Sequence, residues 1–276
     1  MRKRKPSVKP QNPHTENKDK QIYFLCAMPR SGNTLIASIM NQNPDIAVTA
    51  NSITLEIMKD LFLLKQTDVF QNFPDEQSLN SVMDEVYNLY YKYWNYKTII
   101  DRGPVCTPNN LKVMQKHFKQ PIRCVVLVRD VLDVLASYIK WFETEPTAYP
   151  NKYGHTSIEQ KLTMLMNDKG SIAKELKCLK NIFLHPEIPC VFVRYNDLVE
   201  NPEREIRKVY TFLNLPYFPQ TFTNLNQIVV NGLQYNDGIV GKNMHTIRTE
   251  KIMKVENEYK KLIPERFVKE YGHITF

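Results

Sequence analysis

"QIYFLCAMPRSGNTLIASIM", residues 21–40, passes from an unbroken apolar run through a tight polar turn into a helix-patterned stretch. The first part, Gln21 to Met28, has the continuous hydrophobicity of a strand buried on both faces, not the alternation of a half-exposed one. The last part, over about Thr34 to Asn41, reads as a helix. Between them one glycine stands beside an arginine, a serine and a threonine. The first turn of a helix presents unpaired N–H groups and a partial positive charge, so a donor-rich turn at its mouth suits an anion.

The pattern recurs along the chain. "DIAVTA" (45–50), "YKTIIDRG" (96–103), "PIRCVVLVRD" (121–130) and "EIPCVFVRYNDLV" (187–199) read as further strands. Residues 52–94 read as helical, with Leu55, Met58, Leu61 and Phe62 at helical spacing. "VLDVLASYIKWF" (131–142) is helical, and Asn201 is placed to cap a helix whose first position is Pro202. Apolar strands separated by helices rather than hairpin turns specify an α/β fold with three layers, a mainly parallel central sheet and helices on both faces. Such sheets bind ligands at the carboxyl ends of their strands. The polar residues Arg30 and Ser31, Asp101 and Arg102, Arg129, and Arg194 with Tyr195 all fall at those ends. Four of the five strands therefore deliver a cation to one rim, which implies a polyanionic ligand.

Of the net charge of +8, residues 1–20 carry +5, leaving +3 for the other 256. This opening has no aliphatic periodicity and is expected to be a disordered basic tail. A solubilising terminus is the preferred reading, with a nucleic-acid- or membrane-binding arm as the alternative. The rest, 21–276, is expected to be one domain. The tail begins like a signal peptide but lacks the apolar stretch that should follow. The longest apolar run, Ile22 to Met28, is too short to span a bilayer, so no membrane association is expected. The five cysteines form no C-x-x-C pair and the six histidines no H-x-x-x-H pair. Reduced thiols in a cytoplasmic protein, and no metal site, are the expectation.

The turn is phosphate-loop-like but lacks the Gly–Lys of a nucleoside triphosphatase loop. It resembles instead the sulfotransferases that use 3′-phosphoadenosine 5′-phosphosulfate (PAPS), and within them the P-R-S-G-[TS]-T type of the tyrosylprotein sulfotransferases. "PRSGNT" (29–34) looks like their 5′-phosphosulfate loop, and "VLVRDVLDVLASY" (126–138) like their 3′-phosphate motif. "VRYNDLVENPEREIRKVYTFLNLP" (193–216) resembles their Y-E-D-L-x-x-x-P segment, and "IIDRGP" (99–104) a fourth motif in which the family usually has Lys. The resemblance covers roughly a quarter of the chain and implies a P-loop-NTPase-like fold. It further implies that Arg30, the backbone N–H groups of Ser31, Gly32, Asn33 and Thr34, and the Thr34 hydroxyl cradle the phosphosulfate. Arg129 and Ser137 would hold the 3′-phosphate and Tyr195 would line the nucleotide near its base. Arg102 stands where the family's Lys neutralises the bridging oxygen, acting by charge and hydrogen bonds alone. Lys242 and Arg248, in the basic loop "GIVGKNMHTIR" (238–248), are weaker candidates for phosphate contacts.

Taken singly, each residue has a plainer reading. Arg129 and Asp130 would make a strand-closing ion pair, Tyr195 a packing residue, Ser137 a small helix residue and Thr34 a cap. Their combination decides for the anion site. The sequence departs from the family where the tyrosylprotein enzymes carry G-E-E-T, having Ala50, Asn51 and Ser52, and the His of the cytosolic enzymes' K-T-H-L-P is absent. The general base is therefore open between two carboxylates. Asp101 is expected to be engaged with Arg102 or Arg30, and Glu56 is slightly preferred. The expected activity is sulfuryl transfer from PAPS, without metal, to a hydroxyl (or amine) of a small-molecule, carbohydrate or peptide acceptor. The rivals are a nucleotide kinase, which would need magnesium and ATP, and a nucleic-acid-binding module using the tail, which would show steep salt dependence.

Overall fold

The computed structural model describes residues 20–152, 154, 157–247, 250–253 and 258–276. Side chains of β1 (Gln21–Ala27) alternate between two cores: Ile22, Phe24 and Cys26 face one, and Tyr23, Leu25 and Ala27 the other. Both faces are closed, which is why the strand reads as continuously apolar. α1 (Asn33–Met40) leads to β2 (Ile46–Val48), and α2 (Thr54–Leu64), α3 (Asp68–Asn72) and α4 (Glu76–Tyr90) lead to β3 (Thr98–Arg102). α5 (Pro108–His117) precedes β4 (Cys124–Val128), and α6 (Val131–Thr144), α7 (Tyr149–Lys152), α8 (Ile158–Met166) and α9 (Ser171–Leu184) precede β5 (Cys190–Arg194). α10 (Tyr195–Glu200), α11 (Pro202–Leu213) and α12 (Glu265–Tyr271) complete the described α-helices, and a 3₁₀ helix over Glu258–Leu262 precedes the last of them.

The sheet is parallel throughout, in the order β2-β3-β1-β4-β5. In its register Phe24 lies between Asp101 and Cys124, and Leu25 is level with Arg102. One core packs Leu55, Met58, Tyr87, Leu135 and Leu179 against the sheet, and the other packs Ile36, Met40, Ile206 and Leu213. The chain leaves β1 toward β2 on one side and leaves β4 toward β5 on the other. The crevice of this topology therefore opens between the carboxyl ends of β1 and β4. Among the described residues no helix is long and apolar enough to cross a membrane.

Several sequence expectations are corrected. The stretch 52–94 is three helices, broken where Thr67 and Asp75 cap new ones by accepting from Phe70 N and Ser78 N. The last strand stops at Arg194, and Tyr195 opens α10. Asn201 precedes Pro202 as placed, but its side chain makes no capping bond. Lys20, counted with the tail by charge, is buried and donates through Nζ to the Trp94 carbonyl at 2.5 Å. The rest of the proposed tail lies outside the described residues. All five cysteines are free, yet they are not scattered: the Sγ atoms of Cys26, Cys106 and Cys124 lie within 4.8 Å of one another in the apolar core. Their spacing along the chain carries no trace of that convergence.

Candidate active site

The turn between β1 and α1 is shaped by two left-handed residues, Arg30 (φ 66°) and Gly32 (φ 99°). Gly32 is required for a second reason as well: a Cβ there would stand 3.0 Å from the Tyr195 ring. An arginine in this conformation is strained by about 1–2 kcal/mol, and three contacts hold it. Its Nε donates to Ser137 Oγ at 3.1 Å, its Nη1 to the Met244 carbonyl at 2.5 Å, and its own carbonyl accepts from Arg129 Nη1 at 2.7 Å. Ser31 departs from expectation. Its N–H and hydroxyl both close onto the Met28 carbonyl, at 3.3 and 2.5 Å, and the residue is fully buried. The open cradle is instead the start of α1, where Asn33, Thr34 and Leu35 precede the first intrahelical bond, Ile36 N to Gly32 O. Gly32 caps this helix with no side-chain bond. The Asn33 side chain is turned inward, donating to Met28 O at 3.1 Å.

Arg129, at the end of β4, lies over the Tyr195 ring with its guanidinium carbon 4.0 Å from the centroid. Its Nε is buried with no hydrogen-bond partner among the described residues. Asp130 accepts from the Phe276 N–H at 2.9 Å. Burial lowers the pKa of both Arg30 and Arg129, and each cation remains charged at neutral pH.

A segment from the C-terminal part of the chain forms the opposite wall. His245 stacks flat on Tyr235, ring centroids 3.7 Å apart, and its Nδ1 and backbone N meet Asp237 at 2.5 and 3.0 Å. Burial lowers the His245 pKa against the pull of Asp237. Arg102 donates to Asn51 Oδ1 at 2.6 Å and to Ala50 O at 3.1 Å, and reaches the Tyr235 hydroxyl at 3.4 Å. Lys242 is exposed, and its carbonyl accepts from Trp141 Nε1 at 3.0 Å. Arg248 lies outside the described residues.

These walls enclose a cavity of about 290 Å³. Arg30, Arg102, Arg129, Lys140 and Lys251 line it, with Gly32 to Thr34, Ser137, Tyr195 and His245, and no described carboxylate does. Lys140 follows Ser137 by one helical turn and was readable from that spacing. His245 lies in the basic loop 238–248 already singled out for Lys242 and Arg248, and Lys251 follows it; neither was picked out, because no spacing distinguishes them from their neighbours. Arg194 lines a separate small recess with Asp130 and Asp197. Buried cations without counter-charges are costly, and a bound polyanion relieves that cost.

The two carboxylates considered as bases lie elsewhere. Asp101 is 1% exposed and pairs with no arginine among the described residues. It accepts from four hydroxyls: Tyr91 (2.8 Å) and Thr49 (3.1 Å) on Oδ1, Thr54 (2.6 Å) and Ser52 (3.1 Å) on Oδ2. Burial raises its pKa while these hydroxyls pull it back. The strand alternation turns Asp101 inward as it turns Arg102 toward the rim. Glu56 is exposed, 3.8 Å from Lys174 Nζ. A carboxylate overlooked in the sequence, Glu175, lies on α9. It interacts with Arg102 and Lys174, and its Oε2 is closed from solvent with no partner among the described residues.

A family model described as "Sulfotransferase family" matches residues 23–219. A Caenorhabditis briggsae protein named "Putative protein-tyrosine sulfotransferase" is 25% identical over 204 residues, 72% of this chain and 68% of that protein. Mouse sulfotransferase SULT7A1 complexed with PAP superposes with a TM-score of 0.55 at 11% identity, covering 94% of this chain and 84% of that one. The sulfotransferase domain of the Synechococcus PCC 7002 olefin synthase gives 0.50 at 14% identity, covering 95% and 98%. At these identities the two structures attest the fold.

Proposed function

The chain belongs to the sulfotransferase family and is a sulfuryl-transferring enzyme, and on that premise we propose that its donor is PAPS and its acceptor a hydroxyl group. The observation that carries this reading is the cavity lined by five cations and no described carboxylate. A nucleotide with anionic groups at both its 5′ and 3′ positions suits that charge. A magnesium–ATP complex does not, because a divalent cation needs oxygen ligands of its own. The first turn of α1 and Arg30 hold the phosphosulfate, Arg129 with Ser137 and Lys140 the 3′-phosphate, and Tyr195 the nucleotide between them. Arg102 stabilises charge developing on the bridging oxygen as the sulfuryl group departs. No metal is required.

The name of the Caenorhabditis briggsae relative makes a tyrosine hydroxyl the first acceptor to test. The five free cysteines support a reducing, cytoplasmic setting. Neither the kinase nor the nucleic-acid reading has an observation in its favour. The test is thermal unfolding with adenosine 3′,5′-bisphosphate (PAP) in the presence of EDTA, followed by transfer of labelled sulfate from PAPS to a tyrosine-containing peptide. At about 100 times Kd the ligand should stabilise by about 2.7 kcal/mol. No shift, or a shift seen only with magnesium and ATP, refutes the proposal.

A further inference from the structure

The nucleotide cavity leaves a carboxylate oxygen near the rim buried and without a donor among the described residues. α9 runs back against the strands to reach β5, so its first turns lie at the carboxyl rim of the sheet. Lys174 reaches Glu56 of α2 from there, and Glu175 beside it interacts with Arg102, Lys174 and Glu56. The buried Tyr138 phenol belongs to the same neighbourhood, close to Ser171 at the start of α9 and within the fields of Arg30, Arg102 and Glu175. The Oε2 atom of Glu175 is shut off from solvent and has no hydrogen-bond partner among the described residues. Folded chains rarely leave a buried carboxylate oxygen without a donor, and one left so within the field of the rim arginine Arg102 invites a substrate proton.

The side on which it lies matters. In-line displacement at sulfur requires the attacking oxygen to approach opposite the leaving phosphate oxygen. His245, another titratable group near Arg102, lines the nucleotide cavity and so stands on the leaving-group side. Glu175 does not line that cavity; it stands in the first turns of α9 at the rim, in the field of Arg102. Asp101 is saturated by its four hydroxyls, and Glu56 is solvated and ion-paired.

Resting on the sulfuryl-transfer reading above, we infer that Glu175 is the catalytic base. Its Oε2 takes the hydroxyl proton as the acceptor oxygen bonds to sulfur. The bond from sulfur to the bridging oxygen breaks, and its electron pair stays on the nucleotide 5′-phosphate beside Arg102 and Arg30. The proton then passes from Glu175 to water. Burial pushes the Glu175 carboxyl up to about 7, against the pull of Arg102 and Lys174 and with the push of Glu56. A base in that range is matched to proton abstraction at neutral pH.

The experiment measures PAP formed from PAPS by the full chain, with a tyrosine-containing peptide and with water alone as acceptor. Glu175→Gln keeps the shape and removes the base. Its kcat should fall about 10²–10⁴-fold, with the PAP dissociation constant within twofold of wild type and the acidic limb of the pH–rate profile gone. A kcat within threefold of wild type overturns the inference, as does an equal loss of PAP affinity. If Glu175→Gln does not fold, Glu175→Asp decides: kcat reduced at least tenfold at unchanged PAP affinity supports the base, and full activity overturns it. Failure of the wild type to bind PAP or to consume PAPS with either acceptor refutes the sulfuryl-transfer reading itself, whereas normal turnover by Glu175→Gln refutes only the base.

Discussion

Arg129 Nη1 donates to the carbonyl of Arg30 at 2.7 Å, so one guanidinium at the end of β4 braces the loop at the end of β1, 99 residues away. The two ends of the proposed nucleotide site are thereby coupled. Arg129→Ala should weaken PAP by about 1.5–3 kcal/mol through the lost charge-assisted contact to the 3′-phosphate. Adenosine 5′-phosphosulfate has no 3′-phosphate and should lose only the brace, about 1 kcal/mol. Titration calorimetry on both ligands measures the difference. Equal losses would make Arg129 a loop support and remove it from the 3′-phosphate site.

Gly32 is constrained twice, by its φ of 99° and by the Tyr195 ring 3.0 Å from where a Cβ would stand. Alanine in this conformation costs about 1–2 kcal/mol, and Tyr195 must shift from beneath Arg129 to admit it. Gly32→Ala should therefore lower the melting temperature and weaken PAP together. A Tyr195→Ala background removes the steric part and should recover some of the stability loss. No recovery would show that φ alone sets the cost.

Asp101 makes the opposite point about a residue at a strand end. Its four hydroxyl donors give it a structural role, fixing the segment that carries Thr49, Ser52 and Thr54 beneath Arg102. Thr49 Oγ1 passes the arrangement on, accepting from the Arg102 backbone N–H at 2.8 Å. An asparagine has only one oxygen to offer, and its amide faces hydroxyls with donors of its own. Asp101→Asn should destabilise by about 1–3 kcal/mol in urea unfolding, while the folded enzyme's turnover stays within a fewfold of wild type. Loss of turnover at full stability would return Asp101 to the chemistry.

What could be read in advance follows from the range of the interactions. Buried parallel strands announce themselves through continuous apolar runs, so the sheet and its cationic rim were legible from residues 21–30, 96–103, 121–130 and 187–199. Of the helices after α6, α11 was legible from Asn201 and Pro202, whereas α7 to α9 were not singled out and α10 was read as the end of the last strand. The loop carrying His245 holds its place through stacking on Tyr235 and pairing with Asp237, contacts with no local spacing. Glu175 escaped for the same reason. Nothing near it in the chain resembles a catalytic motif, and its environment comes from α2, α6 and the end of β3. Ser31 shows the converse, a motif residue whose donors are consumed within the turn itself.

The elevated pKa of Glu175 carries a stability signature that does not depend on any acceptor. In the unfolded chain a glutamate ionises near 4.3, whereas in the fold burial holds this one protonated up to about 7. Between those values the folded state binds more protons than the unfolded state. Its contribution is therefore fully present below about pH 4.3 and declines as pH rises through 7, beyond which both states are ionised and no further loss occurs. Arg102 and Lys174 limit the loss and Glu56 deepens it. Glu175→Gln cannot ionise, so its urea midpoint should gain on that of the wild type between pH 5 and 7 and run parallel to it above pH 8. Removing the cations' pull should widen the gap: Lys174→Ala in the wild-type background should move the decline to higher pH. A constant difference between the wild type and Glu175→Gln across this range would mean that Glu175 ionises in the fold as it does in water, and its burial would then need another explanation.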